Sequence, residues 1–163
     1  MKERKEQPKK TLVMHALETA GISYSVKEYP VDTADLSAVH AAEFLDIPAD
    51  QVFKTLVLQG ASGAYLVCCI PAPAELDLKK VARAAGEKNA ALIPQKDLLE
   101  VTGYIRGGCS PICLKKPYPV FIDETAVLFG EIAVSAGQRG MQVVLNPEDL
   151  CTFISARFAD LTA

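Results

Sequence analysis

Val52-Phe53-Lys54-Thr55-Leu56-Val57-Leu58-Gln59-Gly60-Ala61-Ser62-Gly63-Ala64-Tyr65-Leu66-Val67-Cys68-Cys69-Ile70 is the stretch that decides the fold. Two apolar runs rich in β-branched residues flank a short segment with two glycines, Gln59 to Gly63. Apolar, β-branched runs of this length fit buried strands, and a glycine-containing break of this size fits a hairpin turn. The adjacent Cys68 and Cys69 point to opposite faces of such a strand, so both read as small buried hydrophobes. One residue interrupts the apolar pattern. Lys54 places an ammonium inside a strand, where a charge needs a wet face, a partner or a task.

On either side of this hairpin the pattern yields further strands and few regular strand–helix alternations. Residues 9–20 suit an amphipathic helix ended by Gly21, and Ile22 to Tyr29 alternates like a strand up to Pro30. Asp32 to Ser37 offers caps for a second helix marked by Val39, Ala42 and Leu45, closed before Pro48. Asp77 is positioned to cap a helix running to Ala85, with Gly86 ending it. Ala90 to Ile93 reads as a short strand, and Pro94 to Val101 as one or two helical turns. Val120 to Asp123, Ile132 to Ser135 and Met141 to Leu145 read as strands, with a turn or short helix over Thr125 to Phe129. Asn146-Pro147 starts a last helix expected to run to about Phe158. These elements predict an α/β (α+β) fold: a mixed, largely antiparallel, curved or barrel-like sheet surrounded by helices.

The second unusual segment is Thr102-Gly103-Tyr104-Ile105-Arg106-Gly107-Gly108-Cys109-Ser110-Pro111. Paired glycines allow a tight turn and close backbone approach, and Pro111 stiffens the end of the loop. Such a loop presents backbone N–H groups, the Ser110 hydroxyl and the Cys109 thiol. The alternative is a purely structural turn. Lys54, the amides around Gly107 and Gly108, and the turn from Ser135 to Gly140 are candidates to line one pocket that polarises an ester carbonyl. Arg139, in that turn, is a candidate for a phosphate or ribose contact, or else an exposed turn residue.

Composition narrows the classes. The 163 residues fit a single domain, 1–163, with residues 1–8 of the charged lead Met1 to Lys10 expected to be flexible. A net charge of −3 argues against general nucleic-acid binding by charge alone, leaving room for a local basic patch among Lys79, Lys80, Arg83, Lys115, Lys116 and Arg139. No signal peptide or membrane-spanning run is visible, and the five cysteines fit a reducing compartment, so a cytoplasmic location is expected. Cys109 and Cys113 form a lone C-x3-C in a chain with two histidines, His15 and His40, which is weak grounds for a metal site. Both histidines fall in predicted helices, which gives a Ser/His/Asp triad little support. No carboxylate spacing marks an acid/base pair, and Cys109 lacks an obvious histidine to activate it. Dinucleotide-binding, P-loop and nucleophile-elbow motifs are missing.

Several segments, in order, resemble the YbaK family of Cys-tRNA(Pro) deacylases, relatives of the editing domain inserted in bacterial prolyl-tRNA synthetases. They are Asp50 to Leu56, Leu76 to Ala82, Thr102-Gly103-Tyr104 with Gly107-Gly108-x-Ser110-Pro111, Lys115-Lys116, Ile122-Asp123 and Ser135-x-Gly137-x-Arg139-Gly140. The resemblance implies that cysteine, close to proline in size, is removed from mischarged tRNA(Pro) in trans, since a hydrophobic pocket rejects a near-isostere weakly. It implies substrate assistance, in which the cysteinyl thiol attacks its own ester and leaves as a cyclic thiolactone. It maps the family lysine onto Lys54 and the substrate-facing loop onto Gly107 and Gly108. Tyr29 then walls the pocket or stacks on the terminal adenine, and Thr55, Tyr104, Cys109, Ser110, Ser135 and Arg139 complete the substrate contacts. The implied partners are the aminoacylated tRNA end and prolyl-tRNA synthetase, for a monomer or homodimer with no cofactor, metal or membrane. The chain departs from the family at Cys109, commonly aliphatic, and at Gln142, often acidic. Another mischarged tRNA such as Ala-tRNA(Pro) or Ser-tRNA, a non-catalytic synthetase- or tRNA-binding domain, and redox sensing through Cys109 are the competing readings.

Overall fold

The computed structural model describes residues 10–163, so the expectation for the extreme N-terminus lies outside the described residues. In chain order the elements are α1 (Leu12–Thr19), β1 (Tyr24–Glu28), α2 (Ala38–Leu45), β2 (Phe53–Gly60), β3 (Tyr65–Pro71), α3 (Leu78–Ala85), β4 (Ala90–Leu92), α4 (Leu98–Thr102), β5 (Val120–Asp123), β6 (Ile132–Ser135), β7 (Met141–Leu145), α5 (Pro147–Phe153) and β8 (Arg157–Ala159). Short 3-10 turns cover Ala49–Gln51, Gln95–Asp97 and Glu124–Leu128.

The predicted caps act as caps. Ser37 Oγ accepts from the His40 N–H, and Asp77 accepts from the N–H groups of Lys79 and Lys80. Asn146 Oδ1 accepts from the Asp149 N–H, and each of these bonds satisfies a donor that the first helical turn leaves free.

β2 and β3 form the expected antiparallel hairpin, with Lys54 opposite Ile70 and Leu56 opposite Cys68. That hairpin is the middle of a five-stranded sheet ordered β4-β2-β3-β5-β8, in which β3–β5 and β5–β8 are parallel. The other sheet, β1-β7-β6, is wholly antiparallel. The two sheets do not close into a barrel. Among the described residues, a single parallel bridge, Val52 with Ala133, ties β6 to the chain just before β2. The barrel-like alternative is thereby corrected: with one bridge at one corner, the sheets diverge elsewhere and side chains fill the space between them.

Strand alternation explains the layers. Val57, Val67, Cys69 and Ile122 of the large sheet meet Ile132, Val134, Val143 and Leu145 of the small one, with Val13 and Leu17 of α1 closing the cluster. On the other face of the large sheet, Leu58, Leu66, Cys68 and Ile70 pack under Val81 and Ala82 of α3. Ala133 and Val144, on the outer face of the small sheet, meet Ala42 of α2. Cys68 and Cys69 therefore belong to two different cores, both wholly buried, as their adjacency on a strand requires. Burying each large aliphatic side chain is worth about 1.5–3 kcal/mol.

The last helix is shorter than the sequence predicts. α5 stops at Phe153, and Ser155 takes the left-handed conformation with φ of 53°. The Ala156 N–H returns to the Cys151 carbonyl, and Arg157–Ala159 pairs in parallel with β5. A local helical pattern is overridden here by an unpaired sheet edge, whose backbone groups the segment satisfies.

Candidate active site

The corner where the sheets part holds a cleft of about 470 Å³. β2 supplies one wall through Phe53, Lys54, Thr55, Leu56 and Val57. Ser135 and Gln142, partners across β6 and β7, supply the small sheet's contribution. Tyr29, just after β1, and Leu36 to Ala38, at the start of α2, form another side. The glycine loop contributes Arg106, Gly107 and Cys109, and Leu92, Ile93, Gln95 and Leu98 complete the rim.

Lys54 is half-buried, and its Nζ donates to the Ala72 carbonyl at 3.0 Å. That bond runs to the segment leaving β3, the strand beside Lys54, and holds the amine in place at the cleft. Burial lowers the Lys54 pKa from the ordinary lysine value, with the Glu75 carboxylate opposing the shift. Thr55 Oγ1 lies 3.8 Å from Cys69 Sγ, and Ser135 Oγ accepts from the Gly137 N–H at 3.1 Å. Tyr29, which lines the cleft, is pinned through its own N–H to the Gly140 carbonyl at 3.0 Å.

The glycine loop divides its residues between wall and scaffold. Gly107 has φ of 86°, and a Cβ there would come within 3.3 Å of Leu36 and 3.4 Å of Arg139 Cγ. Gly108 does not line the cleft. A Cβ on it would sit 3.1 Å from the Gln138 Cα and the Arg139 nitrogen, so its smallness lets the loop lie against the next turn. Its N–H donates to the Ile105 carbonyl at 3.0 Å. The expectation that both glycine amides face a ligand is therefore corrected for Gly108, whose donor closes the turn. The N–H groups of Gly107 and Cys109 find no acceptor among the described residues.

Tyr104, Ser110 and Arg139 also lie off the cleft lining. The Tyr104 hydroxyl donates to the Ile112 carbonyl, and Ser110 Oγ, fully buried, accepts from the Ile112 N–H at 3.2 Å. Arg139 Nε donates to the Arg106 carbonyl at 2.8 Å. All three spend polar groups on shaping the loop. The sequence marks them correctly as unusual, because a tight polar turn and a binding loop use the same residue types.

Two cleft residues lie outside the substrate contacts expected from the sequence. Arg106 is exposed and reaches Gln95 Oε1 at 3.4 Å, and its position beside two glycines is the one hint of its place. Gln142 is buried, and its Oε1 has no hydrogen-bond partner. Among the described residues no carboxylate and no imidazole lines the cleft. Burial pushes the Cys109 thiol up to about 11, against a weaker opposing pull from Thr102. His40 stands outside the lining, 3.6 Å from Asp35 and edge-on to Phe44. Among the described residues no three His, Cys, Asp or Glu side chains gather as a metal would need, and no helix is long and apolar enough to cross a membrane.

The mixed two-sheet fold brings Lys54 of β2 and Arg106, Gly107 and Cys109 of the glycine loop to the lining of one cleft. Comparison with known proteins gives the family. Residues 33–153 match the model of the aminoacyl-tRNA editing domain, and the chain belongs to that family, the YbaK family. It is 42% identical to an Enterococcus faecalis protein named "Putative Cys-tRNA(Pro)/Cys-tRNA(Cys) deacylase EbsC", over 98% of this chain and 97% of that one. It is 29% identical to proline–tRNA ligase of Burkholderia multivorans, over 60% of this chain and 18% of the ligase. A crystal structure described as "a putative trans-editing enzyme for prolyl tRNA synthetase" superposes with a TM-score of 0.81 and 28% identity, covering 93% of this chain and 94% of that one.

Proposed function

We propose that the protein is an aminoacyl-tRNA deacylase that clears cysteine from mischarged Cys-tRNA(Pro), using the substrate's own thiol as nucleophile. The observation that carries this reading is the chemistry of the cleft lining. Its lining includes a held cation, a thiol kept protonated and two residues whose backbone N–H groups have no acceptor among the described residues, but among those residues no carboxylate and no imidazole. Such a site polarises an ester and orients it, while the nucleophile has to come from elsewhere.

Cysteine esters carry one. The substrate sulfur attacks its own carbonyl carbon, the C–S bond forms, and the bond to the ribose oxygen breaks. The thiol proton ends on the leaving ribose hydroxyl, and a cyclic thiolactone departs. Lys54 stabilises charge developing on oxygen, assisted by the N–H groups of Gly107 or Cys109. Tyr29 and Arg106 hold the terminal nucleoside, and Thr55, Ser135 and Gln142 bound the amino-acid side. Gly108, Tyr104, Ser110 and Arg139 are positioning residues that act through the loop. Prolyl-tRNA synthetase is the partner whose error this activity corrects.

The test is deacylation of tRNA(Pro) charged with cysteine, S-methylcysteine, alanine or proline. Cysteine should be released, with S-methylcysteine and proline spared. Equal release of the S-methyl ester would replace the substrate thiol by water, and preferred release of alanine would reassign the substrate.

A further inference from the structure

A second concavity, also about 470 Å³ but more open, lies between α3 and the start of β4, lined by Leu78, Lys79, Arg83, Glu87, Lys88 and Ala90 among others. Lys79 and Arg83 are four residues apart on α3 and so share one helix face, and Lys88 joins them from the turn after Gly86. All three are exposed, and none forms an ion pair among the described residues. The one acid in the groove is committed elsewhere. The Glu87 carboxylate accepts from the Ser62 N–H and hydroxyl, which lower its pKa. Lys80, next in sequence, is likewise spent on Asp160 and the Thr162 carbonyl. In a chain with net charge −3, three unpaired cations round one groove are a local reversal of sign.

The groove adjoins the cleft. Ala90 lines the groove and Leu92 lines the cleft, at the two ends of the three-residue edge strand β4. Two residues of extended chain span about 7 Å. A polymer whose esterified end sits by Lys54 can run past β4 into the basic groove.

We propose that this groove binds the phosphodiester backbone of the tRNA strand that carries the ester. The proposal rests on reading the cleft as an aminoacyl-ester site, and it adds where the rest of the substrate lies. Lys79, Arg83 and Lys88 contact phosphates, read no bases, and hold tRNA whatever amino acid it bears. Selectivity then stays in the cleft.

The experiment compares wild type with Lys79→Gln/Arg83→Gln/Lys88→Gln on two substrates, full Cys-tRNA(Pro) and the cysteinyl ester of adenosine, with binding of uncharged tRNA measured from 50 to 200 mM salt. Three lost contacts to a single strand should flatten the slope of log affinity against log salt by about 2 and raise KM for the tRNA about tenfold or more, with kcat kept. The adenosine ester should turn over equally in both proteins. Lys79→Arg/Lys88→Arg should bind as wild type does. Unchanged tRNA affinity and salt slope in the triple glutamine variant would overturn the groove while leaving the deacylase reading intact. Loss of affinity for prolyl-tRNA synthetase alone would also overturn it and assign the surface to a protein. An inert adenosine ester with groove-dependent tRNA binding would retain the groove and reject the cleft chemistry.

Discussion

The two walls of the cleft are built by different means. β2 contributes through side chains, because strand alternation and the bond to Ala72 hold Lys54 at the cavity while its neighbours Phe53 and Val57 anchor the core. The glycine loop contributes Arg106, Cys109 and the bare backbone of Gly107, and its polar side chains at 104 and 110 are turned inward on Ile112. Substitution of Lys54 should therefore change chemistry at nearly constant stability. Substitution in the loop should change shape, with stability and rate falling together.

The largest expected effect is at Lys54. Lys54→Met should lower kcat/KM for Cys-tRNA(Pro) by about 10²–10³, the range for removing one preorganised donor from a developing oxyanion. Burial lowers the pKa of this amine, so its proton is lost at a pH below the ordinary lysine value of about 10.4. Activity that needs the ammonium is full below the shifted pKa and falls as pH rises through it. The wild-type profile, corrected for spontaneous ester hydrolysis, should thus show an alkaline limb below that value, and Lys54→Arg should abolish the limb. A limb unchanged in the arginine variant would remove Lys54 from the chemistry.

A smaller, mixed effect is expected at Gly107. Alanine there must adopt φ of 86° and place a Cβ 3.3 Å from Leu36. The left-handed conformation alone costs about 1–2 kcal/mol. Misplacing the loop should lower kcat/KM about tenfold. Thermal unfolding and single-turnover deacylation read the two losses, and a loss of rate without loss of stability would contradict a loop that works through shape.

Tyr104→Phe separates scaffold from contact. Losing the hydrogen bond to the Ile112 carbonyl should cost about 0.5–1.5 kcal/mol in chemical denaturation. If the hydroxyl serves only the loop, kcat/KM should stay within about threefold of wild type, less than 1 kcal/mol of barrier. A tenfold or greater drop at unchanged stability would return Tyr104 to the substrate.

Much of the fold is legible in the sequence because it is local. The hairpin, the caps Ser37, Asp77 and Asn146, and strands β5, β6 and β7 arise from patterns within a few residues. Lys54 is conspicuous because a charge inside an apolar strand has few explanations. What stays hidden is relational. The β8 segment looks helical until the free edge of β5 is known. Gly108, Ser110 and Arg139 look like ligand contacts until the Ile105, Ile112 and Arg106 backbone groups they serve are in view. Gln142 stands out in sequence as a departure from the family, but its unpartnered buried oxygen is visible only in three dimensions.

Cys109 gives the smallest predicted effect. It is the one thiol on the cleft lining, so it is also the one protein nucleophile that would make the substrate's own sulfur unnecessary. Its pKa of about 11 leaves a thiolate fraction on the order of one in ten thousand at neutral pH, and the thiolate is the reactive form. No imidazole lies on the lining to take its proton. Cys109→Ala should therefore keep kcat/KM for Cys-tRNA(Pro) within about threefold, a change of packing alone. Iodoacetamide should label the exposed Cys113 before it reaches Cys109. A hundredfold loss in the alanine variant, with a covalent cysteinyl-enzyme trapped from wild type by acid quench, would move the nucleophile from the ligand to the loop and make the backbone wall a chemical one.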